Sequence, residues 1–108
     1  MLSILIPTYN YNVFSLVKEL VDQTSKLDID FEIICFDDGS KITFIENEAI
    51  NQLKNCSFSS NETNLGRASN LNKLVEKAKF NHCLLLEADA FPENENYIKK
   101  YVSLINEK

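Results

Sequence analysis

Excess positive charge is the first thing this chain lacks. Its 108 residues carry 11 Lys+Arg against 16 Asp+Glu, a net charge of −5. A broad nucleic-acid patch needs clustered basic residues, so the balance argues against that partner. A nucleotide held locally through a divalent cation stays compatible with it. Missing too is any apolar run near the roughly 20 residues that a membrane helix needs. Met1-Leu2-Ser3-Ile4-Leu5-Ile6-Pro7 is apolar, but it has no basic flank and stops at proline. It makes a poor signal peptide and a good first strand. Cysteine is scarce and odd in number, with Cys35, Cys56 and Cys83 showing no C-x-x-C spacing. Cys35 and Cys83 lie in apolar strand-like runs, so buried reduced thiols are expected in place of a disulfide or metal role. A cytoplasmic location follows, with the inner face of a membrane included. The single histidine, His82, begins an apolar run, where a structural imidazole is expected. Repeats, low-complexity segments and linkers are absent.

What is present suits one globular domain. Hydrophobic residues make up 44% of the chain, which fits a packed core and not a disordered segment. Length allows one core, near the small end for an enzyme. Leu2 to Ile6, Phe31 to Phe36 and His82 to Leu86 read as buried strands, and Cys56 to Ser60 as a short one. Four helical stripes follow them in turn, one after each strand. Val13, Leu16, Val17, Leu20 and Val21 define the first, with Asn10 or Asn12 as its cap. Ile42, Ile45, Ala49 and Leu53 define the second. Ala68, Leu71, Leu74, Val75 and Ala78 define the third, with Lys73, Lys77 and Lys79 solvated beyond it. Tyr97, Ile98, Tyr101, Val102, Leu104 and Ile105 define the last. Strands alternating with helices predict an α/β fold, a mostly parallel sheet of about four strands with helices on both faces.

Two of these strands end in acids. Leu84-Leu85-Leu86 runs into Glu87-Ala88-Asp89, and Phe31–Phe36 runs into Asp37-Asp38-Gly39-Ser40. A parallel sheet would bring both ends to the edge where such sheets bind ligands. Carboxylates there suit a hard cation beside a phosphate.

Four segments in order complete the pattern: Ser3-Ile4-Leu5-Ile6-Pro7-Thr8-Tyr9-Asn10, Asp37-Asp38-Gly39-Ser40, Asn64-Leu65-Gly66-Arg67-Ala68-Ser69-Asn70, and Glu87-Ala88-Asp89. Their order and spacing resemble those of family 2 glycosyltransferases, which have the GT-A fold. The resemblance covers nearly the whole chain but only the amino-terminal, nucleotide-sugar-binding half of such an enzyme. It therefore implies one Rossmann-like GT-A half-domain over residues 1–108, stopping before the acceptor-binding half where the family keeps its general base. The implied partners are a nucleotide-sugar donor, most simply a UDP-sugar, and a glycan or lipid-linked acceptor. The implied reaction is inverting sugar transfer with Mn²⁺ or Mg²⁺ as cofactor.

Each motif has a physical reading beside the implied one. The turn Pro7-Thr8-Tyr9 sits at the ligand edge, where the Tyr9 ring either packs on a nucleobase or merely covers the first helix. Gly39 permits a backbone shape closed to most residues. A carboxylate in this turn can accept the imide N–H of uracil, a role the resemblance assigns to Asp38, with Asp37 bracing the loop; alternatively both are turn residues and Ser40 caps a helix. Gly66 and Arg67 open the third helix, where backbone N–H groups and the guanidinium meet either a diphosphate or only water. Asn70 either orients that loop or is solvated. Glu87-Ala88-Asp89 stands where the family has D-x-D. The resemblance assigns Asp89 as the metal ligand, and the longer Glu87 replaces an aspartate that reaches ribose or metal-bound water. Ala90 lacks a further acid often found there.

Three other classes compete. A non-catalytic nucleotide-sugar-binding fragment would bind donor and transfer nothing. A receiver-type Mg²⁺-binding domain would carry its acid pair after the first strand, where this chain has Pro7-Thr8-Tyr9. A nucleotidyltransferase would show a glycine-rich basic loop there. No residue of the chain is assigned as general base. A fourth strand left uncovered at its outer edge leads us to expect a homodimer.

Overall fold

The computed structural model describes residues 1–106. Four strands form one sheet: β1 (Leu2–Thr8), β2 (Phe31–Asp37), β3 (Cys56–Ser60) and β4 (His82–Leu85). Their order is β3-β2-β1-β4, and every neighbouring pair is parallel. The helices are α1 (Phe14–Ser25), α2 (Ile45–Glu48), α3 (Arg67–Lys77) and α4 (Tyr97–Asn106), with a 3-10 turn over Ala49–Gln52.

Period-two alternation in β1 sets the two layers. Ile4 and Ile6, with Ile33 and Cys35 of β2, pack under Leu16, Val17 and Leu20 of α1 and Ile98 and Val102 of α4. On the opposite face, Leu5, Ile34 and Phe36 meet Leu74 and Leu71 of α3. Gln23 joins α1 to α4: its amide donates to the Asn94 carbonyl at 2.9 Å and its oxygen accepts the Ile98 N–H at 2.9 Å.

Register places the ligand edge. Thr8 pairs with Asp37, and Leu5 pairs with Leu85. The chain beyond β4 therefore carries Glu87 and Asp89 alongside Pro7 and Tyr9. Strand order also reverses at β1, since β2 and β3 lie on one side and β4 on the other. Such a reversal opens a crevice at the carboxyl ends of the strands.

Four expectations need correction. The second stripe does not form a helix face: Ile42 is 55% and Ile45 85% exposed, whereas Asn47 and Ile50 are buried. Lys41 and Ile42 donate backbone N–H groups to the Asn10 amide oxygen at 3.0 and 3.3 Å, so the crossover begins as a pinned loop and leaves room for only two short turns. Ser40 accordingly caps no helix. The third and last stripes each hold exposed members, Ala68 and Val75 in α3 and Leu104 in α4. In α3 the buried face is centred on Asn70 and Leu74 instead.

The fourth correction concerns β4, which is an exposed edge and not a buried strand. His82, Cys83 and Leu85 are all exposed. Among the described residues β4 pairs only with β1, and α3 packs over β1 and β2, so Cys83 and Leu85 on the α3-side face of β4 are left exposed. Of the thiols, Cys35 is buried, Cys56 intermediate and Cys83 exposed. Burial pushes the Cys56 thiol up to about 12 and that of Cys35 higher still, which makes both poor nucleophiles.

Candidate functional site: a cleft at the carboxyl ends of the strands

A cleft of about 420 Å³ opens at the strand-order reversal. Pro7, Thr8, Tyr9, Asp38, Gly66, Arg67, Glu87 and Asp89 all line it, although they span more than eighty positions of sequence. Its size is that of a small-molecule site. Tyr11, Asn64, Asn70 and Ala88 complete the wall.

The first wall is the end of β1. Thr8 is buried and accepts the Asp38 N–H on its carbonyl at 2.8 Å, joining the two strand ends. Beyond it Tyr9 turns outward, 46% exposed, with its ring beside the cleft. Asn10 follows with φ 52°, a left-handed turn that asparagine tolerates better than most residues. Asn12 caps α1 from one residue before its N-cap position, its amide oxygen accepting the Phe14 N–H at 3.1 Å.

The second wall is the turn after β2. Asp37 is buried and accepts the Ser40 N–H at 2.8 Å and also the Ser40 hydroxyl. Ser40 Oγ in turn accepts the Asn10 N–H at 2.6 Å, which ties the β1 and β2 turns together. Gly39 has φ 68°, and a Cβ there would stand 2.5 Å from the Asn64 nitrogen. Glycine is required on both counts, for backbone angle and for the close approach of the loop that follows β3.

That loop is moored on Asp38. The Leu65 N–H and the Asn61 side-chain amide donate to its Oδ1 at 2.8 and 3.0 Å, and the Gly66 N–H donates to its Oδ2 at 3.0 Å. The Asn64 amide adds a bond to the Asp38 carbonyl at 3.1 Å. Asp38 thus shares with Asp37 the bracing expected of Asp37 alone. Gly66, at φ 94°, then admits the chain to α3 in a conformation closed to most side chains.

The third wall carries the charges. Arg67 at the start of α3 makes a two-pronged ion pair with Glu87, one prong at 3.1 Å. Hydrogen bonding to Arg67 holds the Glu87 carboxyl below its ordinary range, against a weaker opposing push from burial. The same bond raises Arg67. Both side chains are more than half exposed, so the pair adds little to stability. Asp89 is exposed two residues further on, in the same cleft.

Among the described residues no group of three or more His, Cys, Asp or Glu side chains could enclose a metal alone. Glu87 is engaged by Arg67, which leaves Asp89 as the available hard oxygen donor of the pair in the cleft. Mg²⁺-type cations commonly take one or two protein carboxylates and complete their shell with substrate phosphate and water. The residues fit such an ion.

Sequence reasoning left out Asn61 and Tyr11 and left Asn70 open. Asn61 lies in a stretch that reads simply as polar loop, and only its bond to Asp38 makes it part of the site, whereas Asn64 opens the third motif but had no role of its own. Asn70 carried a clearer signal: an amide four residues before Leu74 lies on the same helical face and so is carried inward.

This architecture is that of the GT-A half-domain, a parallel α/β sheet with acids at two strand ends beside a cleft. The sequence matches the family described as glycosyl transferase family 2 over residues 3–108, and the chain belongs to that family. Among solved structures it is similar to S. aureus TarS 1–349, at 26% identity and a TM-score of 0.73, covering 98% of this chain and 32% of that one. The same TarS segment in complex with UDP-GlcNAc aligns at 27% identity and a TM-score of 0.71, covering 98% and 31%. The mannosyltransferase PcManGT from Pyrobaculum calidifontis, in complex with GDP-Man and Mn²⁺, shares the fold at 21% identity and a TM-score of 0.68, covering 94% and 31%. The chain thus spans about a third of each of these solved chains. No curated protein sequence matches it significantly.

Proposed function

We propose that the cleft binds a nucleoside-diphospho-sugar, specifically a UDP-sugar, together with Mn²⁺ or Mg²⁺, as the donor site for inverting sugar transfer to a glycan or lipid-linked acceptor. The observation that carries this reading is the meeting of Tyr9, Asp38, Arg67 and the Glu87–Asp89 pair in one cleft. Tyr9 offers an apolar face for a nucleobase. Asp38 offers a carboxylate for the imide N–H of uracil. The start of α3 and Arg67 offer positive charge to a diphosphate. Asp89 would hold the cation, with Glu87 beside it for ribose or a water of its shell. Bound there, such an ion supplies charge neutralisation for a departing diphosphate.

The complexes of similar proteins lend support. The TarS structure is in complex with UDP-GlcNAc and the PcManGT structure with GDP-Man and Mn²⁺. No side chain of the cleft is assigned as the base that must take an acceptor's proton. We therefore expect this chain alone to hold donor without transferring sugar. Placement in the cytoplasm, on the inner face of a membrane, belongs to the same proposal. Among the described residues no helix is long and apolar enough to cross a membrane.

Amide NMR during titration with UDP and Mg²⁺ tests the location. Resonances of residues 8, 9, 38, 64–67 and 87–89 are expected to shift together. Shifts confined to any other surface would contradict the proposal.

A further inference from the structure

A line of side-chain amides runs behind the cleft and ends on Asp38. It starts at the Phe36 carbonyl, which accepts from the Asn70 Nδ2 at 3.0 Å. Asn70 is 2% exposed, and this bond turns its Oδ1 toward Asn61. Asn61 Nδ2 donates one hydrogen to that Oδ1 at 3.0 Å and the other to Asp38 Oδ1 at 3.0 Å. The Lys73 ammonium closes the line by donating to Asn61 Oδ1 at 2.8 Å. Each amide can point only one way. Reversing Asn61 would set its oxygen against two other oxygens and its NH₂ against an ammonium.

The consequence falls on the acceptor that the cleft presents. An ionised carboxylate has about four lone-pair sites. Three are occupied here, by Asn61 and by the Leu65 and Gly66 N–H groups, and the open site is on Oδ2. One N–H from a ligand can be met there. Uracil carries such an N–H at N3, whereas cytosine presents a lone pair at the same position. Leu65 and Gly66 donate from the backbone, and Asn61 is the side-chain donor of the three: it takes the second site on Oδ1, which leaves the site on Oδ2 as the one a ligand can meet.

We propose that Asn61, oriented by Asn70, is a positioning residue that aims the open lone pair of Asp38 and thereby sets the preference of the cleft for uracil. The inference rests on the uridine reading above and deepens it. Its class of ligand is a base with a ring N–H next to a carbonyl. A buried polar group that one base satisfies and another leaves unpaired discriminates strongly between them.

Calorimetric titration of UDP and of CDP, each with saturating Mn²⁺, tests this in the wild-type chain and in Asn61→Asp and Asn61→Ala, with a melting curve for each protein. Asn61→Asp replaces the donor by an acceptor of the same shape, and Asn61→Ala removes it without adding charge. The wild type is expected to prefer UDP by about tenfold or more, the worth of one well-placed hydrogen bond to a charged group. In both variants that ratio is expected to fall to within about threefold, mostly through weaker UDP binding. If Asn61→Asp fails to fold, Asn61→Ala decides. Equal weakening of UDP and CDP with the ratio kept, which a merely structural role would give, overturns the inference and leaves the uridine reading intact. A wild type without preference for UDP overturns the uridine reading and the inference with it.

Discussion

At the scale of single residues, the cleft depends on groups that fold the turns as much as on groups aimed at a ligand. Gly39 is the sharpest case. Its φ of 68° and the nearness of the Thr63–Asn64 backbone exclude any side chain. Gly39→Ala is expected to destabilise the chain by more than about 1 kcal/mol, since both strain and clash oppose the methyl group. Urea denaturation measures this, and an unchanged midpoint would refute the role of the close approach. Glu87 shows the opposite kind of residue, exposed and held by one partner. Its carboxyl lies below the ordinary range because Arg67 bonds the charged form. A lowered carboxylate favours folding above its unfolded value and loses that contribution as pH falls through the folded value. The Arg67→Met variant is therefore expected to return the Glu87 titration to the ordinary range, with melting temperatures at neutral pH nearly unchanged because the pair is solvated. Carboxyl NMR across pH 2.5 to 6 follows it, and an unmoved Glu87 titration would contradict the pairing.

At the scale of elements, α3 does two jobs through two neighbouring turns. Its first turn presents Gly66 and Arg67 to the cleft, and Leu74 fastens the helix to Leu5, Ile34 and Phe36. Leu74 is fully buried and central to the small apolar cluster on this face of the sheet. Leu74→Ala is expected to cost about 2–5 kcal/mol, the usual range for such a truncation. A loss below 1 kcal/mol in chemical denaturation would show that α3 is held by other means. Periodicity made β1, β2 and α1 legible because one face or both faces of each are buried by local neighbours. It failed at Ile42 and Ile45, where apolar spacing suits a helix but the Asn10 amide captures the backbone first. It failed again at β4, because no apolar run can say whether an outer strand will be covered. Three motifs of the cleft were legible as residue types at strand ends, and the fourth as the opening of a helix. The amide line through Asn61 and Asn70 was not, because its partners are 9 to 34 positions apart and meet only after the sheet forms.

At the scale of the whole molecule, a chain with a net charge of −5 collects Asp38, Glu87 and Asp89 around one cleft. A diphosphate entering that cleft needs positive charge beyond the single Arg67 guanidinium, which is itself engaged by Glu87. A divalent cation on Asp89 would supply it. The uncovered side of β4 bears on assembly. Leu85 is 47% exposed on an edge that is unpaired among the described residues, the kind of strand that pairs with another copy. Sedimentation equilibrium at tens of micromolar is expected to show a dimer, and a strictly monomeric chain would contradict this use of the edge. The central claim is that four separated motifs make one cation-dependent site for a uridine diphosphate. Calorimetric titration with UDP, in saturating Mn²⁺ and again in EDTA, tests it most directly. Binding in Mn²⁺ that is largely lost in EDTA and in Asp89→Ala is the predicted result, and equal affinity in all three would contradict it.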